Sequence, residues 1–64
     1  MGKIRRGGYI FVTWKGDHPP RHVHVYRDGT FVVTWDLDHK KPMKGKVIRR
    51  VLELIEALES EDLL

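Results

Sequence analysis

The chain has 64 residues and a formal net charge of +3, with 12 Lys and Arg against nine Asp and Glu. It contains no cysteine, so disulfides and thiolate metal sites are excluded. No apolar run approaches the roughly 20 residues that span a bilayer. A chain of this size removes only about 60% of its unfolded surface from water. One domain over residues 1–64 is therefore expected, with a thin stability margin and with a cognate protein or a second copy (a homodimer) as its support.

The charge is uneven. All 12 bases lie in residues 1–50 beside four acids, a net +8, while the last 14 residues hold five acids and no base, a net −5. A basic body attracts polyanions such as RNA through a long-range, salt-screened field. The plainer reading is a solvated surface that keeps the protein dispersed.

In chain order, Met1-Gly2-Lys3-Ile4-Arg5-Arg6-Gly7-Gly8 is basic and Gly-rich with no apolar stretch behind it. It reads as a loose segment and not as a signal peptide, so a cytoplasmic location is expected. Residues 9–14 are β-branched and aromatic and predict the first strand. Lys15 to Arg21 must be a loop, because Gly16 and Pro19-Pro20 break regular structure. Residues 22–26 alternate polar and apolar and predict a half-buried second strand, and residues 30–37 predict the third.

The join at Arg27-Asp28-Gly29 sets the register. A two-residue turn at Asp28-Gly29, with regular pairing, would put His24 opposite Val33 and His22 opposite Trp35. A three-residue loop with Gly29 left-handed at a bulge puts Val25 opposite Phe31 and Val23 opposite Val33, with Trp35 on the same face. The second arrangement separates apolar from polar and is the one expected. It gathers His22, His24, Thr34 and Asp36 on the face away from the core.

Asp38 to Met43 reads as a turn, with Gly45 as a helix cap. Val47, Ile48, Val51, Leu52, Leu54, Ile55 and Leu58 form one stripe of a helix over 46–59, expected to cover Val23, Val25, Phe31, Val33 and Trp35. Its charges run against the dipole, with Lys44, Lys46, Arg49 and Arg50 near the positive end and Glu56, Glu59 and Glu61 toward the negative end. Free N–H groups beside those cations make a candidate phosphate site; the alternative is ordinary surface charge. Lys40 and Lys41 are open to the same two readings.

The chemistry-bearing segment is Asp17-His18-Pro19-Pro20-Arg21-His22-Val23-His24. His22 and His24 are two apart on a strand and share a face. Three readings stay open. In the first, His18, His22 and His24 are catalytic, cleaving RNA by acid–base activation of its own 2′-hydroxyl, with Arg21 holding the phosphate. In the second, His22, His24 and one of His18, His39 or Asp36 bind a metal. In the third, the rings are structural. Tyr9, Phe11, Phe31 and Trp35 fit core positions; Trp14 and Tyr26 flank the loop, where they could pack or stack on bases.

Gly7-Gly8-Tyr9, a strand, the Pro19-Pro20 and His22-Val23-His24-Val25 core, Trp35 and a C-terminal helix resemble the small prokaryotic proteins of domain-of-unknown-function family 4160. Arg21 departs from the pattern by standing between Pro20 and His22, where that family typically runs Pro directly into His. The resemblance implies a protein often encoded beside another small one, as in toxin–antitoxin pairs, and implies no activity. A weaker likeness is to HicA-type messenger-RNA interferase toxins, in which a catalytic histidine occupies a Gly-x-His turn; Gly16-Asp17-His18 would take that place.

The expected fold is α+β, a three-stranded antiparallel β-meander packed against one C-terminal amphipathic helix. The expected function is that of a toxin–antitoxin-type protein with a basic RNA-binding surface formed by Arg21, Lys44, Lys46, Arg49 and Arg50, and with metal-independent, cofactor-free RNA cleavage as the candidate activity. The alternatives are a non-enzymatic interaction module and a small histidine-based metal-binding protein.

Overall fold

The protein is described by a computed structural model over residues 2–13 and 21–64. The predicted loop, with His18, and Trp14 beside it lie outside the described residues, apart from Arg21. The elements are β1 (Gly2–Arg6), β2 (Tyr9–Thr13), β3 (His22–Arg27), β4 (Thr30–Asp36), β5 (Lys41–Gly45) and α1 (Arg49–Ser60). The five strands form one antiparallel sheet in the order β1-β2-β3-β4-β5. The α+β class stands, but the three-stranded sheet is corrected to five strands.

Both added strands have a local cause. The N-terminal segment is not loose, because Gly7 and Gly8 both take positive φ (+61° and +84°) and pair Arg6 with Tyr9 across a two-residue turn. Left-handed backbone at both central positions suits a tight hairpin. Lys3 and Arg5 then point to solvent while Ile4 is half-buried against the core. At the other edge, Pro42 read as a breaker, yet β5 pairs only with β4, and an edge strand tolerates proline.

The β3–β4 hairpin also differs from the expected register. Asp28 (φ 51°) and Gly29 (φ 77°) close a two-residue turn, pairing Arg27 with Thr30 and Tyr26 with Phe31. Aspartate tolerates the left-handed region, so no third loop residue is needed. A bulge then shifts the register between Val25 and Tyr26, giving Val25↔Val33, His24↔Thr34, Val23↔Trp35 and His22↔Asp36. The bulge restores the separation of apolar from polar side chains that an unbroken two-residue hairpin would lose. The two-residue turn sets Phe31, expected in the core, opposite Tyr26, and the bulge separates it from the face of Val33, so it is 38% exposed.

The core lies between the sheet and α1: Tyr9, Phe11, Val23, Val25, Val33, Trp35 and Leu37 meet Val51, Leu54, Ile55 and Leu58. The helix starts at Arg49 and not at residue 46. Ile48 at its N-cap is extended (φ −102°, ψ 159°) without a side-chain cap, and the first turn holds no acid. Gly45 belongs to β5 and does not cap the helix. Two of the acids at the other end are compensated, Glu59 by Lys40 of the β4–β5 turn at 3.1 Å and Glu61 by Arg6 of β1. No helix is long and apolar enough to cross a membrane among the described residues.

Candidate nucleic-acid interface

Directly opposed residues on neighbouring strands share a face, so the register arranges the side chains opposite the helix in three rows. The first row is Arg5, Ile10, Tyr26 and Phe31. The second is Lys3, Val12, His24, Thr34 and Lys44. The third is His22, Asp36 and Lys41. Among the described residues no second layer covers this face. Ile10, Val12, His22, His24 and Tyr26 are half-buried, while Lys3, Arg5, Phe31, Lys41 and Lys44 are exposed. Cations thus occupy both edge strands and flank a central field of aromatic and imidazole rings.

The two histidines project together because they alternate with buried Val23 and Val25 on β3. Their rings meet edge to face, with centroids 5.1 Å apart and planes at 89°. His24 Nδ1 lies 3.2 Å from Thr34 Oγ1, so one of these two atoms donates according to the imidazole tautomer. Neither ring is sealed inside the protein, and both sit between the cationic edges.

Asp36 is only 2% exposed. Its carboxylate accepts the backbone N–H groups of Asp38 and His39, each at 2.9 Å, and lies 2.8 Å from His39 Nδ1. Burial alone pushes this carboxyl up. The His39 backbone bond, the His39 ring and the Asp38 N–H outweigh burial and hold it below its ordinary value. A depressed folded pKa means that this stabilisation is present above the unfolded value of about 3.9 and is lost as pH falls through the folded one. The urea midpoint of the wild type should therefore drop on acidification below about pH 4, and Asp36→Asn should start lower and drop less steeply. Parallel acid limbs for the two proteins would contradict this role for Asp36.

The remaining predicted site residues are dispersed. Arg21 donates its backbone N–H to Asp38 Oδ2 at 2.8 Å and a guanidinium N–H to the Leu64 carbonyl at 3.0 Å. Lys44 lies on the open face, its Nζ 5.9 Å from the Phe31 ring centroid. Lys46 sits in the link before α1, and Arg49 and Arg50 open the helix on the covered side of the sheet. The structure therefore brings His22, His24 and Lys44 together and separates them from Arg49 and Arg50. Among the described residues no three His, Asp or Glu side chains form a set that could hold a metal ion.

Sequence reasoning missed Lys3, Arg5 and Phe31 as members of this face. The Gly7-Gly8 pair after the alternating Lys3-Ile4-Arg5 was the available signal for the first two. Against known proteins, the chain matches the family described as a domain of unknown function, DUF4160, over residues 8–63. No curated protein and no solved structure matches it, and the likeness to HicA-type toxins gains no support.

Proposed function

We propose that this chain, which belongs to the DUF4160 family, binds RNA through the open face of its sheet. The observation that carries this reading is the set of three rows, in which Lys3, Arg5, Lys41 and Lys44 flank His22, His24, Tyr26 and Phe31. Phosphates are drawn to the edges and bases to the rings. The resemblance to small proteins encoded beside a partner supports a toxin–antitoxin setting in the cytoplasm.

The candidate activity is cleavage by the RNA's own 2′-hydroxyl. One imidazole takes the hydroxyl proton, the oxygen attacks the adjacent phosphorus, and the 5′-oxygen leaves with a proton from the second imidazole. With the rings in edge contact, a phosphate must approach both from the solvent side. Purified protein should degrade RNA in EDTA. His22→Ala with His24→Ala should lower the rate by at least about 100-fold while the far-UV spectrum persists and RNA affinity falls far less than the rate. Binding without cleavage by the wild type would leave a binding module and remove the enzyme; equal cleavage by both proteins would remove the histidines from the chemistry.

A further inference from the structure

We infer that the first row is a stacking platform, so that the RNA taken by this face is single-stranded and reads in with its bases unpaired. This rests on the RNA-binding reading above and goes further by naming the substrate class.

Three of the four residues in that row, Ile10, Tyr26 and Phe31, are apolar or aromatic, on a face that no described element covers. Phe31 keeps 38% of its surface open to water. Grouped apolar surface on an otherwise polar face marks a binding site more often than a packing defect. The Phe31 and Tyr26 rings contact each other edge to face, with centroids 6.0 Å apart, so each holds the other upright. A Cβ on Gly45 would meet the Val32 carbonyl oxygen at 2.5 Å and Phe31 Cε2 at 3.1 Å, so the bare glycine lets β5 run close to β4 beside the ring. Lys44 Nζ stands over the Phe31 ring, 5.9 Å from its centroid; a stacking base displaces this flexible side chain from the ring and leaves its ammonium beside the nucleotide's phosphate.

The row ends in a recess of about 380 Å³ lined by Arg5, Gly8, Ile10, Asp28 and Gly29. It lies between the β1–β2 and β3–β4 turns. Ile10 gives it an apolar lining, Arg5 a cation and Asp28 a carboxylate acceptor, while added Cβ atoms on Gly8 and Gly29 would meet nothing within 4 Å. Phe31, Tyr26 and Ile10 sit on three adjacent strands, which spans roughly 10 Å at the usual strand spacing. Bases therefore rest on Phe31 and Tyr26, and a further one enters the recess beside Arg5 and Asp28. A duplex hides its base faces in its own stack and offers backbone and groove edges, so it engages the lysines without stacking on the rings.

The test is fluorescence anisotropy of the full chain with a labelled unstructured RNA and with a hairpin duplex of matched length. The wild type should prefer the single strand. Phe31→Ala should weaken single-strand binding by about 5-fold to about 150-fold and leave duplex binding unchanged. Phe31→Trp should retain the affinity, which guards against a folding artefact. If the wild type binds both RNAs equally and Phe31→Ala matches it, while Lys3→Glu with Lys44→Glu weakens both, the stacking inference falls and the RNA-binding reading survives. If neither RNA binds, both fall, including the case in which the same row captures a protein instead.

Discussion

Phe11→Ala is expected to destabilise the protein by about 3–5 kcal/mol, the usual cost of emptying an aromatic core site. Phe11 is fully buried. It pairs with Ile4 on one side and Val25 on the other, and its ring centroid lies 6.5 Å from that of Tyr9. It thus joins the first hairpin to the centre of the sheet beneath α1. A chain of 64 residues is expected to have a total stability of roughly 3–10 kcal/mol, at about 0.05–0.15 kcal/mol per residue. The loss is therefore a large share of the total and should lower the urea midpoint steeply, whereas Phe11→Leu, which keeps most of the volume, should cost less than about 1.5 kcal/mol. Urea unfolding followed by tryptophan fluorescence measures both. A loss under about 1 kcal/mol for Phe11→Ala would mean that β1 and β2 are not held by this core.

Much of the fold was legible where periodicity was strong. The alternation in His22-Val23-His24-Val25 and the stripe from Val51 to Leu58 placed the central strands, the helix and the shared face of the two histidines. What failed was the reading of glycine and proline as flexible or terminating. Gly7-Gly8 is a hairpin turn because both residues are left-handed, and Pro42 is tolerated because its strand has one neighbour. Gly45 looked like a helix cap because a basic, amphipathic stretch follows it; its positive φ serves the end of β5 instead. The bulge near Val32 has no sequence marker. It follows from combining a two-residue turn with a core that needs Val33 and Trp35 beneath the helix, and Phe31 is moved to the open face as a result. The phosphate-site reading rested on charges adjacent in sequence, but Lys44 pairs with Thr34 on one side of the sheet while Arg49 and Arg50 begin the helix on the other.

That division decides which cations an RNA would meet, and it gives the second large effect. Lys3 and Lys44 end the row that carries His24, so reversing both replaces two attractive phosphate contacts by two repulsive ones. Binding of an unstructured RNA at low salt should weaken by roughly tenfold or more, and the dependence of log affinity on log salt should flatten by about 1.4, at about 0.7 per lost contact on a single strand. Arg49→Glu with Arg50→Glu is the matched control, since it changes the net charge equally on the covered side of the sheet. The decisive measurement is a salt titration of RNA affinity for the wild type and these two double variants. The open-face account predicts a large loss and a flattened slope for Lys3→Glu with Lys44→Glu, and near wild-type behaviour apart from a small long-range term for the control. The reverse pattern, with the helix variant losing its affinity and the sheet variant keeping it, would contradict the account.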